Sequence, residues 1–134
     1  MEYATCARMI IKSLDDLQVY QKALKVTDAI SAILDRQSLR RDPELRKQLG
    51  DCSARVPALI AEGFGQGTDR HCAHYQRLAR GSCNEMCTHL KVARGRPHIT
   101  MEEWGDLSDR YVVIGKMLTK WIQQLVRVDR PVRG

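Results

Sequence analysis

The sequence predicts an all-α protein, an antiparallel up-down four-helix bundle, and three observations carry that expectation. The first is the stretch Ile60-Ala61-Glu62-Gly63-Phe64-Gly65-Gln66-Gly67. An apolar, helix-periodic segment stops there at a glycine, glycines at alternate positions turn the chain, and a second long helical pattern departs from Thr68, as in an αα-hairpin. The second is composition: one Phe, two Trp and four Tyr, with few β-branched runs, favour helix over sheet. The third is a further helix-periodic segment on each side of the hairpin, joined by short links, which is the pattern of a bundle.

At 134 residues the chain is sized for one domain with one core. Hydrophobic residues at 43% and charged residues at 28% are ordinary for a globular protein. Lys and Arg number 22 against 16 Asp and Glu, a net charge of +6 with a pI near 9.3. That balance fits nucleic acid or another anionic partner, and equally a merely basic surface. No apolar run approaches the roughly 20 residues of a membrane span, and residues 1–12 lack the pattern of a secretory signal. The expected location is the cytoplasm, with no membrane partner. Five cysteines (Cys6, Cys52, Cys72, Cys83, Cys87) are an odd number in a chain that needs no staples. They read as small buried hydrophobes rather than disulfides.

In chain order, residues 1–12 form an N-terminal arm and 13–126 the bundle. Ser13 with Asp16 resembles a capping box ahead of the first helix, which runs to about Leu34. Leu17, Tyr20, Leu24, Thr27, Ser31 and Leu34 make one stripe on it. Val19, Val26 and Ile33 make a second beside it, more apolar face than a single core contact requires. The polar, basic link 36–42 ends in Asp42-Pro43, a cap followed by a first-turn proline. The second helix turns Leu45, Leu49, Cys52, Val56 and Leu59 inward, with Pro57 expected to kink it or shift its register. Gly63 is expected at its end in a positive-φ conformation. The third helix, from Asp69 to about Arg94, buries Cys72, Tyr75, Ala79, Ser82, Cys83, Met86, Leu90 and Ala93. Its opposite face carries Arg70, Arg77, Asn84 and Lys91, flanked by His74 and Arg80. Gly81 also points outward, at a cost of about 1 kcal/mol relative to Ala, which suggests that another backbone packs closely there. Thr100 with Glu103 boxes the start of the fourth helix. That helix buries Trp104, Leu107, Tyr111, Ile114, Leu118, Trp121, Ile122 and Leu125, and leaves Val112, Val113 and Met117 off the stripe. Residues 127–134 are a basic tail.

Enzymatic chemistry finds little support. The glycine turn lacks the Gly-Lys-Ser/Thr of a phosphate loop and follows a helix rather than a strand. Cys83 with Cys87 and His71 with His74 lie on different sectors of one helix, so no zinc set is predicted. Cys87 and His89 point to nearly opposite sides, and no Ser/His/Asp constellation is visible. No catalytic residue, metal or cofactor is assigned. The cations Arg70, Arg77, Arg80 and Lys91, with Arg94 and Arg96 beyond, and Arg127, Arg130 and Arg133 in the tail, are the candidate phosphate contacts. Without interleaved aromatics they would hold the backbone rather than read bases. The surplus apolar residues Val19, Val26, Ile33, Val112, Val113 and Met117, with Gly81, are the candidate surface for a homo-oligomer.

Several motifs together resemble a bacterial four-helix-bundle family. They are Ser13-Leu14-Asp15-Asp16-Leu17-Gln18-Val19-Tyr20-Gln21-Lys22-Ala23, Gln48-Leu49, Val56-Pro57-Ala58 with Ile60-Ala61-Glu62-Gly63-Phe64-Gly65, and Ala79-Arg80-Gly81-Ser82-Cys83-Asn84-Glu85. Gly115-Lys116-Met117-Leu118 with Trp121-Ile122 completes the set. The founding members are encoded by intervening sequences inside 23S ribosomal RNA genes and are called S23-like. The resemblance, covering roughly 13–125, implies a cytosolic, non-enzymatic bundle assembled as a ring of five. It marks Glu62, Gly63, Gly65, Ser82 and Glu85 as structural positions. Glu62, in the last turn of its helix where the dipole disfavours a negative charge, is expected to find a compensating partner, an arginine of the third helix or a neighbouring chain. The accessory protein of diversity-generating retroelements, which binds nucleic acid and a reverse transcriptase, is similar in fold. This chain departs from the family pattern at Gly50, Asp51 and Gln66, where basic residues are usual, and at Leu59, where Asn is. Two readings stay open: a nucleic-acid-binding accessory protein, or a scaffold for an unknown protein partner.

Overall fold

The computed structural model describes residues 13–129, and every regular element in that span is helical. A 3₁₀ turn at Leu14–Asp16 leads into α1 (Gln18–Leu34), the single-turn α2 (Gln37–Arg40), α3 (Pro43–Phe64), α4 (Asp69–Gly95) and α5 (Met101–Asp129). The four long helices pack in a closed cycle, α1 on α3, α3 on α4, α4 on α5 and α5 back on α1. Side-chain bonds set the directions. On α3 and α4, Cys52 reaches Glu85 and Gln76 reaches Ile60; on α4 and α5, Arg80 reaches Thr119 while Arg94 lies over Trp104. Partners thus run oppositely along each pair, as short links between neighbours require.

The Ser13 box forms, with the Ser13 N–H donating to the Asp16 carboxylate at 3.1 Å, but on the 3₁₀ turn rather than on α1. Around α1 the core is Val19, Ala23, Val26, Ile30 and Ile33, with Val26 fully buried. This corrects the expected face. Val19, Val26 and Ile33 fill the bundle's own interior, while Leu24 is 39% exposed. The three valine and isoleucine positions are therefore not free to contact a second copy. The link 36–42 also holds more structure than its polarity suggests. The turn of α2 plants Leu39, fully buried, in the end of the core.

Pro57 does not break α3, which continues to Phe64. Proline deprives the Ser53 carbonyl of its usual i+4 donor. Thr27 on α1 supplies a replacement: its hydroxyl lies 3.2 Å from the Ser53 oxygen and 2.7 Å from that of Ala23. Gly63 likewise plays a different part from the one expected. No described glycine has a positive φ, and the helix ends one residue after Gly63. A Cβ at Gly63 would stand 2.8 Å from Tyr75 Cβ and 2.2 Å from Gln76 Nε2, so glycine is needed because α4 crosses here at close range. A Cβ at Gly81 meets nothing within 4 Å among the described residues, so no other helix of the described bundle packs closely there.

One end of the bundle is laced by charge. Arg36 bonds the His98 carbonyl at 3.1 Å and grips both oxygens of Glu103, tying the end of α1 to the start of α5. Thr100 and Glu103 complete the expected capping box at 2.9 and 3.1 Å. Arg36 above all, helped by the Thr100 N–H, holds the Glu103 carboxyl down at about 2. Asp42 accepts from Arg96 at 3.0 Å and lies 2.9 Å from His98 Nε2, which joins the start of α3 to the link before α5.

Candidate nucleic-acid interface

The outward face of α4 is built as its periodicity requires. Arg70, Arg77, Asn84 and Lys91 are exposed on the side opposite Cys72, Ala79, Cys83, Met86 and Leu90. The cations predicted to contact phosphate fall into two groups. Arg94 stacks on the Trp104 ring, its guanidinium carbon 4.2 Å from the centroid, and Arg96 is paired with Asp42. Arg94 is thus engaged at the α4–α5 junction and Arg96 with the start of α3, so neither is an unpaired cation. Arg70, Arg77, Lys91 and Arg127 are exposed and form no ion pair with a carboxylate among the described residues. Arg130 and Arg133, like Cys6 and the 1–12 arm, lie outside the described residues; Arg127 is on α5 itself.

Arg80 occupies a third position. It is half-buried, donates to Thr119 Oγ1 at 3.2 Å, and lines a groove of about 610 Å³ between α4 and α5. The groove is lined by Arg80, Lys116 and Lys120 with Asn84, Thr119 and Gln123, and by Tyr111, Val112, Cys87 and Gly115. Among the described residues no carboxylate lines it. Positions 77, 80, 84, 87 and 91 share one helical stripe, so Arg77 and Lys91 extend the groove's cationic wall at its two ends. From 77 to 91 that wall is about 21 Å long at 1.5 Å per residue. Lys116 and Lys120 were missed in the sequence because their face of α5 borders α4 only once the two helices are packed. Tyr111 is 1% exposed with its hydroxyl unpartnered, and burial pushes its phenol well above the ordinary range.

A second groove, of about 390 Å³, lies between α1 and α5. It is lined by Lys22, Lys25 and Arg110 but also by Asp106 and Asp109, with Val113 and Ile114. Arg110 is itself paired with Asp106 at 3.1 Å. The two grooves flank the same helix with different electrostatic character: the described charges of one are all positive, those of the other nearly balanced.

Val112 and Val113 are 46% and 44% exposed, and Met117 is half-buried against the core. Glu62 is exposed and pairs with no cation among the described residues, so the arginine of α4 expected as one of its two possible partners is not there. It is Glu85 that has an arginine, with Arg55 NH2 at 2.8 Å. Glu85 also accepts from the Cys52 thiol at 3.1 Å, and that bond followed by the Arg55 pair lowers its carboxyl. Burial, then the neighbouring Glu85, pushes Cys52 up to about 12. Ser82 is buried, its carbonyl 3.4 Å from Cys52 Sγ, and Gly65 caps α3 with its N–H on the Ala61 and Glu62 carbonyls. Cys52, Cys72 and Cys83 are buried and Cys87 half-buried, and none of the four is joined to another by a disulfide. No helix among the described residues is long and apolar enough to cross a membrane.

Comparisons with known proteins agree with this architecture. A crystal structure of a protein of unknown function from the S23 ribosomal protein family, from Bacteroides thetaiotaomicron VPI-5482, superposes with a TM-score of 0.70. The match is 20% identical and covers 78% of this chain and 97% of that one, a likeness of fold. No curated protein matches the chain. The family model for the 23S rRNA-intervening sequence protein matches residues 15–120. With most of the bundle inside that match, the chain belongs to the 23S rRNA-intervening sequence protein family.

Proposed function

We propose that this protein is a non-enzymatic cytoplasmic bundle that binds the backbone of RNA or DNA without sequence preference, along the α4–α5 groove. The observation that carries this reading is the groove's charge: Arg80, Lys116 and Lys120 converge with no carboxylate of the described residues among them, and Arg77 and Lys91 prolong the wall. Asn84, Thr119 and Gln123 add neutral donors suited to phosphate oxygens. A wall about 21 Å long contacts only a few phosphates per chain, so affinity for one chain is weak and strongly salt-dependent.

A ring-like homo-oligomer, five-fold by the family resemblance, would repeat the wall and raise avidity without new contacts. Val113, exposed at the α1–α5 groove beside mixed charges, is the best-placed apolar residue for a contact between copies. It faces away from the cationic groove, so assembly and nucleic-acid binding need not compete. The alternative is a protein-interaction scaffold with no nucleic-acid binding, favoured by the exposed Leu78, Val112 and Val113.

Anisotropy titrations of duplex RNA, duplex DNA and single strands at two salt concentrations separate the readings. Nucleic-acid binding predicts similar affinities for unrelated sequences, falling steeply with salt. No binding at low salt would leave the scaffold.

A further inference from the structure

Across the outer edge of α3 and α4, away from the groove, three side chains with metal-binding donors converge. Glu85 and His89 are one turn apart on α4, and Cys52 faces them from α3. Cys52 Sγ lies 3.1 Å from Glu85 Oε2, and His89 Nε2 lies 3.6 Å from Glu85 Oε1. One donor atom from each residue falls within 4.8 Å of the others. Donors bound to zinc at about 2.0–2.3 Å in a tetrahedron stand about 3.3–3.7 Å apart, so small side-chain rotations bring these three to bonding distance.

We propose that Cys52, Glu85 and His89 form a binding site for a divalent transition-metal ion of the zinc class. The donor set makes the choice of ion. A sulfur and an imidazole nitrogen beside one carboxylate suit Zn²⁺, Co²⁺ or Ni²⁺, not the all-oxygen preference of Mg²⁺ or Ca²⁺. On coordination the thiol proton leaves to solvent, and thiolate plus carboxylate neutralise the dication. Arg55 holds the place of that positive charge when no ion is bound. Its guanidinium is 2.8 Å from Glu85 Oε2 and its side chain is 49% exposed, so it can swing into water as the ion enters. Glu85 is 47% exposed on its side chain, which leaves the fourth coordination position open to a water molecule. The ion would clasp α3 to α4. This site is independent of the nucleic-acid reading, since none of its residues lines the cationic groove.

Titration of the reduced full-length protein with Co²⁺ alone is the test. The site predicts one ion per chain, a near-ultraviolet thiolate-to-cobalt charge-transfer band, intense visible bands of tetrahedral cobalt, and loss of all of them on adding Zn²⁺. Cys52→Ser should abolish the charge-transfer band while Cys83→Ser and Cys87→Ser keep it. If Cys52→Ser does not fold, His89→Gln carries the test, with affinity falling by more than about tenfold. Arg55→Gln should tighten Co²⁺ binding by removing the competing cation. The proposal is overturned by absence of the band in the parent protein, by its survival in Cys52→Ser, or by Arg55→Gln and His89→Gln leaving affinity unchanged.

Discussion

Helix α4 has two sides that obey different rules. Towards α3 it is sealed. Gly63 admits α4 at a distance no other residue allows, Gln76 is fully buried with its amide nitrogen 3.3 Å from the Ile60 carbonyl, and Cys52, Cys72 and Cys83 fill the seam. Towards α5 the inner half is equally dense, with Met86, Leu90, Ile114 and Leu118 each at most 1% exposed. The outer half instead opens into a groove walled by long cationic side chains. The difference teaches where sequence freedom lies. Small residues close the first seam at short range, whereas long, hydrated polar side chains line the outer half of the second.

The sharpest break of this picture is made in the sealed interior. Val26→Asp places an unpaired carboxylate at a fully buried position and is expected to cost about 4 kcal/mol or more, unfolding the bundle in a denaturant titration. Had Val26 been an oligomer contact, the same change would dissociate folded subunits instead.

Two glycines sharpen the contrast further. Gly63→Ala gains the usual helix-propensity benefit, yet its Cβ meets Tyr75 Cβ at 2.8 Å, an atom fixed to the α4 backbone. The helices must part, and a loss of about 1–3 kcal/mol is expected from chemical denaturation. Gly81→Ala meets open space on the outer face and should stabilise a lone bundle by about 0.5–1 kcal/mol. If it instead weakens an assembly by light scattering, a neighbouring copy packs on that face.

Acid probes the laced end. Glu103 has its folded pKa lowered to about 2 by Arg36 and Thr100, so it contributes stability that is complete above the ordinary carboxylate value near 4.5. That contribution is lost as pH falls from about 4.5 towards 2. Stability measured across this window should fall less steeply in Glu103→Gln than in the parent.

Much of the fold was legible in the sequence because helical period, caps and glycine turns are local. The hairpin at 63–68, the Thr100 box and most of the inward stripes of α4 and α5 follow from spacing alone, although Tyr75 and Trp104 are only half-buried and Ala73 and Gln76 are buried without having been expected. The errors share one cause, the need to know a neighbour. Two adjacent apolar stripes on α1 could not be ranked without α3 and α5, so Val19, Val26 and Ile33 were placed outside. Spacing alone makes Gly63 a turn glycine, since its partner Tyr75 is twelve residues away across the seam. Arg94 and Arg96 looked free until Trp104 and Asp42 appeared beside them. For the candidate sites, the α4 half of the groove was readable as a stripe, but Lys116 and Lys120 join it only through packing. The Glu85–His89 spacing hints at a ligand pair, and its third member, Cys52, lies on another helix.

The two grooves flanking α5 allow the most direct test of the nucleic-acid account, because each loses two lysines to the same chemistry. Duplex RNA binding should be titrated at two salt concentrations for the parent, for Lys116→Glu with Lys120→Glu, and for Lys22→Glu with Lys25→Glu. The account predicts that the first pair abolishes binding or flattens its salt dependence by about two units of slope, and that the second leaves the slope nearly unchanged. Equal losses from both pairs would mean that net charge alone attracts the polyanion, and the α4–α5 groove would have no special part in it.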